Sequence, residues 1–141
     1  MSMSASTLRL TYEVEKDDLA RAGEASSQVK QTLRKLGFDP ETIRRVAVCM
    51  YEGEINMVIH ADGGQATVDI GLDAITVTLA DHGPGIPDVD LAMQAGYTTA
   101  GEAVRDLGFG AGMGLPNMKK YSDSMTIDTT VGVGTTVTMV I

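Results

Sequence analysis

Eight of the sixteen glycines in this 141-residue chain fall in one stretch, from Asp81 to Gly114, at positions 83, 85, 96, 101, 108, 110, 112 and 114. Glycine loses more backbone entropy on folding than any other residue, so a stretch this rich in it cannot be one continuous helix or strand. A long loop is expected there, with a short helix near 88–95, and regular structure must lie on either side of it.

Before the loop, Leu8, Leu10, Tyr12 and Val14 alternate with polar residues, which predicts a half-buried strand over Thr7–Glu15. Leu19, Ala22, Ser26, Val29, Leu33 and Leu36 then recur at a three-four spacing, the stripe of a helix over Lys16–Leu36 that Gly37 stops. Asp39-Pro40 supplies an N-cap and a first-turn proline for a second helix, from Pro40 to about Ala61. Gly63-Gly64 breaks that helix, and Ala66–Gly71 and Ala74–Ala80 read as a hairpin turning at Gly71, Leu72 and Asp73. After the loop, Met113–Ser122 reads as a helix, and Ser124–Thr130 with Gly134–Ile141 as a closing hairpin around Gly132. With no repeat or linker, and a length suited to one domain, residues 1–141 are expected to form a single α+β unit. The economical packing is a two-layer sandwich, three main helices on one face of a mixed, mostly antiparallel sheet.

Eleven Lys and Arg against nineteen Asp and Glu leave a net charge of −8, which repels phosphate backbones and anionic membranes. No nucleic-acid or membrane partner is therefore expected. The longest uninterrupted apolar run, Val46 to Tyr51, is too short to span a bilayer. A start without a basic, apolar leader and a single cysteine, Cys49, point to a reducing, cytoplasmic setting. Cys49 and the nine methionines read as core filling.

Three motifs carry chemistry. Glu52, Asn56 and His60 are four residues apart on the second helix and share a stripe rotated away from the apolar one. The stripe is either a solvated polar face or a carboxylate base beside an amide oxygen for Mg²⁺, a hard cation that takes few protein oxygens. Asp81-His82-Gly83-Pro84-Gly85 follows an apolar strand; its aspartate can accept from an exocyclic amine, and Gly83 and Gly85 let backbone pass close under a flat ring. An ordinary strand-to-loop turn has the same form. Gly110-Ala111-Gly112-Met113-Gly114 opens a helix with closely spaced N–H groups, either an anion site or a flexible loop.

In this order and spacing the three motifs resemble the N box and two glycine boxes of the GHKL superfamily, the Bergerat-fold ATPases and kinases. Gly132-Val133-Gly134-Thr135-Thr136 resembles its Thr-bearing last box. The small size is most similar to the bacterial anti-sigma-factor serine/threonine kinases. The resemblance implies ATP and Mg²⁺ as cofactors, Asn56 as the metal ligand, Glu52 as the carboxylate that accepts the proton of an attacking hydroxyl, and Asp81 as the adenine selector. It further implies Gly83 and Gly85 in the adenine pocket and Gly110, Gly112 and Gly114 around the phosphates. His60 would lie near the phosphates, and Thr135 would reach Asp81 and adenine through water. Residues 96–110 would be the ATP lid, whose Arg105 either crosses over the phosphates or is an exposed arginine. Glu54 competes with Glu52 for the base, but two places along a helix it faces about 200° away. Gly53 inside this helix is a departure from good helix sequence, costing about 1 kcal/mol relative to Ala.

The function expected is transfer of the ATP γ-phosphoryl to a serine or threonine of a small, anti-anti-sigma-like regulatory protein. The alternative is a nucleotide-gated module that sequesters a sigma factor or other regulator without efficient transfer. A free-standing chaperone-type ATPase fits less well, because the chain has no room for a coupled second domain. A monomer or a homodimer is compatible with either.

Overall fold

A computed structural model describes residues 8–15, 21–60, 63–83, 85, 86, 89, 93 and 114–141. Its elements run β1 (Leu8–Val14), α1 (Glu24–Lys35), α2 (Pro40–His60), β2 (Gly64–Ile70), β3 (Ile75–Asp81), α3 (Gly114–Tyr121), β4 (Ser124–Thr130) and β5 (Gly134–Val140). The expected order stands on both sides of the glycine-rich stretch. The expected lid, 96–110, lies outside the described residues. Of the short helix expected near 88–95, Val89 and Met93 are described, joined by an N–H to carbonyl bond of 2.9 Å at the spacing of a helical turn.

The caps follow from the residues at the helix ends. Asp39 Oδ2 accepts the N–H groups of Glu41 and Thr42 at 3.1 and 3.2 Å, which starts α2 at Pro40. Gly37 takes φ 82°, so that its own N–H reaches the Arg34 carbonyl and that of Phe38 the Leu33 carbonyl, the Schellman closure of α1. The start of α1 differs from the expected Lys16. Gly23 adopts φ 96° immediately before Glu24, and a left-handed residue interrupts a helix whatever the apolar spacing around it.

No side chain of its own caps α1. Its first N–H groups are instead taken by a residue of α2: the Glu54 carboxylate accepts from Gly23 at 3.1 Å, Ala25 at 3.2 Å and Ser26 at 2.8 Å. Glu54 is only 3% exposed, and a negative group at a helix N-terminus is favoured by the helix dipole as well as by these bonds.

The sheet order is β1-β2-β3-β5-β4, and all four pairings are antiparallel. The parallel component expected of a mixed sheet is therefore not found among the described residues. Two pairings, β2–β3 and β4–β5, are hairpins and so antiparallel by their turns, and the second hairpin enters with β5 running against β3. One face, carrying Val68, Ile75, Val77, Leu79, Val137 and Met139, is buried against Val29, Leu33, Val46, Met50, Met57 and Met118 of the helices. On the other face Thr11, Thr67, Thr78, Thr138 and Thr126 lie in register across all five strands. No helix among the described residues is long and apolar enough to cross a membrane.

Gly53 has a packing reason. A Cβ built there would run into the side chain of Leu79 on β3, so the glycine lets α2 lie directly on the sheet. Cys49 is buried, donates to the Met118 carbonyl at 3.7 Å, and has its thiol pushed up to about 11 by desolvation.

Gly53→Ala is expected to lower stability by about 1–3 kcal/mol, because overpacking against Leu79 outweighs the helical preference of alanine. Glu54→Ala is expected to cost about 3 kcal/mol by stranding the buried donors at the start of α1. Chemical denaturation checks both. Cys49 should react with a thiol reagent only at the rate of unfolding, since its thiol is buried and protonated at neutral pH.

Candidate functional site

The close approach at Gly53 lays the middle of α2 across the last residues of β3, which Asp81 ends. Four residues further along α2, Met57 packs beside Gly64, the register partner of Asp81 on β2. Glu52 and Asn56 of α2 are thereby brought to the end of the sheet where β3 finishes and β5 begins.

Asp81 is half-buried, and its two oxygens are differently occupied. Oδ1 accepts the N–H of Gly83 at 2.9 Å, an Asx turn, and the N–H of Thr135 at 3.0 Å. Oδ2 receives no donor among the described residues. A carboxylate held by two backbone donors on one oxygen keeps a fixed orientation, and the other oxygen remains able to accept from an incoming N–H. The backbone around it is tight. A Cβ at Gly134, which takes φ 154°, would strike the Asp81 carbonyl, and one at Gly85, φ 81°, would meet the Thr130 and Val131 backbone.

Thr135 is 5% exposed and binds Asp81 directly through its backbone N–H. Its hydroxyl is engaged elsewhere, 2.8 Å from that of Thr129. Thr129 also accepts the Ile86 N–H at 2.9 Å, so one threonine ties the segment after β3 to both strands of the last hairpin.

On α2, Glu52 is half-buried and its Oε2 accepts from the Asn117 side-chain amide of α3 at 2.8 Å. Asn56 is half-buried with no hydrogen-bond partner among the described residues. The two acidic residues of the Glu52-Gly53-Glu54 triplet therefore separate: Glu54 is consumed as a helix cap, and Glu52 faces α3. Gly83 is buried, with its N–H engaged by Asp81, and Gly114 is the first residue of α3. The His60 side chain, Arg105, Gly110 and Gly112 lie outside the described residues.

Sequence reasoning missed Asn117 and Thr129. Asn117 had a weak signal, its place three residues after Gly114 in the first turn of a helix that opens on glycines; Thr129 had only strand alternation. Among the described residues no three His, Cys, Asp or Glu side chains gather as a metal site. A cation held here would take one or two protein oxygens and complete its shell with phosphates and water, which is the habit of Mg²⁺ rather than of Zn²⁺ or Ca²⁺.

The chain is 29% identical over 110 residues to the serine/threonine-protein kinase RsbT of Bacillus subtilis, covering 75% of this chain and 77% of that protein. It is 33% identical over 112 residues to the anti-sigma F factor of Pasteuria penetrans, covering 73% and 71% respectively. Among solved structures it is similar to the RsbU and RsbW domains of a Mycobacterium tuberculosis protein. That match has a TM-score of 0.62 and 16% identity, covering 94% of this chain and 32% of that longer one. The SiaB–SiaC complex from Pseudomonas aeruginosa matches with a TM-score of 0.60 and 14% identity, covering 99% and 94%. At these identities the two structures speak for the fold, an α+β sandwich with an open antiparallel sheet. A family model described as the histidine kinase-like ATPase domain matches residues 16–141, and the chain belongs to that family.

Proposed function

We propose that this chain is an ATP-dependent protein kinase that transfers the γ-phosphoryl to a serine or threonine of a small regulatory protein. Residues 1–141 act as one nucleotide-binding domain, as a monomer or homodimer in the cytoplasm, and a sigma factor is a further partner. The observation that carries this reading is the Asp81 carboxylate, with Oδ1 held by two backbone donors and Oδ2 left to accept, between two glycines that admit no side chain. The names of the relatives add to it, one a serine/threonine-protein kinase and one an anti-sigma factor.

In this reading Asp81 Oδ2 accepts from the adenine amine, Thr135 keeps Asp81 in place, and Gly83 and Gly85 leave room for the ring. The phosphates meet the N-terminus of α3 at Gly114, with Gly110 and Gly112 ahead of it, since such a terminus favours anions. His60 stands by the phosphates, and Arg105 closes over them with the lid of 96–110. The amide oxygen of Asn56, without a partner among the described residues, suits a hard cation, and Mg²⁺ when bound supplies neutralisation of phosphate charge. Glu52 accepts the proton of the partner's hydroxyl as its oxygen attacks the γ-phosphorus and ADP leaves. Phosphoryl transfer needs positioning and charge more than covalent help, and these groups supply both.

The anti-sigma F factor relative also favours the second reading, a nucleotide-gated binding module with little transfer. Glu52 separates the two, because a module needs the pocket but no base.

Asp81→Asn should weaken ADP binding about ten- to a hundredfold by calorimetry, since the amide presents a donor to the adenine amine as readily as an acceptor. GTP, with a carbonyl in place of that amine, should bind poorly. Glu52→Gln should leave nucleotide affinity within a few-fold while phosphotransfer, followed with labelled ATP, falls by about 10²–10⁴. Asn56→Ala should instead lose the Mg²⁺-dependent part of binding. Transfer at the wild-type rate by Glu52→Gln refutes the base assignment, and ATP binding without transfer in the wild type favours the module.

A further inference from the structure

We propose that Asn117 is the positioning residue for Glu52: its side-chain amide holds one carboxylate oxygen of the base and so ties the geometry of transfer to α3. The inference rests on the reading of Glu52 as the base. The two side chains meet at 2.8 Å from helices far apart in sequence. An ionised carboxylate can only accept, so the group Asn117 turns to it must be the NH₂. With Oε2 engaged, Oε1 is left for the proton of the attacking hydroxyl.

The donor is not a loose surface group. Met118, the next residue, is 1% exposed in the core, and its carbonyl accepts from Cys49 of α2. At the far end of α3, Arg45 of α2 donates to the Tyr121 carbonyl at 3.0 Å and pairs with Asp123 at 2.8 Å. The helix is thus fastened to α2 at Met118 and again at its far end, both after Asn117, while Leu115 before it packs against the core, and the amide arrives at Glu52 from a fixed direction. A glutamate has three side-chain torsions to settle, and a rigid partner settles them before substrate binds. A neutral amide does this without placing a positive charge beside the base, as a lysine would. Because α3 begins at Gly114, the element that orients the base is also the one whose N-terminus faces the proposed phosphate site. Nucleotide and base are therefore placed by one helix.

The test uses Asn117→Ala and Asn117→Asp, the latter matching the shape of asparagine without its donor, each made in the wild type and in Glu52→Gln. In the wild-type background kcat should fall about 10- to 100-fold for Ala and further for Asp. KM for ATP, nucleotide affinity and the thermal midpoint should stay close to wild type. In the Glu52→Gln background neither substitution should lower the residual rate further. A wild-type or faster rate in Asn117→Ala overturns the proposal, as does full activity in Asn117→Asp or an equal loss with Glu52 already replaced. If Glu52→Gln itself transfers at the wild-type rate, the base reading fails, and this proposal with it, by a result that Asn117 variants cannot produce. A readout free of catalysis is nitrogen-15 NMR of the Asn117 side-chain amide. One of its protons should shift and exchange faster in Glu52→Ala, and an unchanged signal overturns the proposal.

Discussion

The contact of α2 with β3 at Gly53 governs the rest of the architecture. Successive residues of a helix point about 100° apart, so once Gly53 is turned to Leu79 its two neighbours are turned to opposite flanks. Glu54 is delivered to the start of α1, where it replaces the missing cap. Glu52 is delivered to Asn117 of α3. Three adjacent residues thus join α2 to the sheet, to α1 and to α3, and a glycine in mid-helix is the condition for it. Its intrinsic helical cost of about 1 kcal/mol is small beside a lost contact layer.

The same contact sets what can stand at the end of β3. Gly64, Gly134 and Gly85 are places where added Cβ atoms would meet the backbone of neighbouring segments, so β2, β5 and the segment after β3 converge around Asp81 more closely than side chains allow. A carboxylate in such a place needs donors, and among the described residues it finds them in the backbone of Gly83 and Thr135. Thr129 then closes the arrangement, holding Ile86 and Thr135 together from β4.

Much of this was legible in the sequence because it rests on local rules. Asp39-Pro40 started α2 and Gly37 ended α1, each through bonds within a few residues. The preference for Glu52 over Glu54 rests on the resemblance and on Asn56 one turn along the same face, and the burial of Glu54 agrees with the two carboxylates facing apart. What escaped depends on contacts between distant segments. The apolar stripe ran past the real start of α1 because spacing does not register that Gly23 is left-handed. Gly53 looked like a flaw until Leu79 stood opposite it. Asn117 is 65 residues from Glu52 and Thr129 is 43 from Ile86, and no periodicity connects such pairs. The antiparallel entry of β5 beside β3 is likewise a pairing of strands far apart in sequence.

The threonine row explains how the sheet can hold such a site with no second helical layer among the described residues. A sheet covered on one face must find strand preference on the open face without exposing apolar surface. Threonine answers both needs, being β-branched like valine but carrying a hydroxyl. Thr11, Thr67, Thr78, Thr138 and Thr126 stand as four successive cross-strand pairs, and such pairs contribute about 0.2–1 kcal/mol each relative to alanine. The row crosses β3 at Thr78, three residues before Asp81, and β5 at Thr138, three after Thr135. The two strands whose ends hold Asp81 and Thr135 are thus fixed in register by the open face as well as by the core. One-residue slippage would move both residues to the wrong face together, which the buried Leu79 and Val137 forbid on one side and the threonine row disfavours on the other.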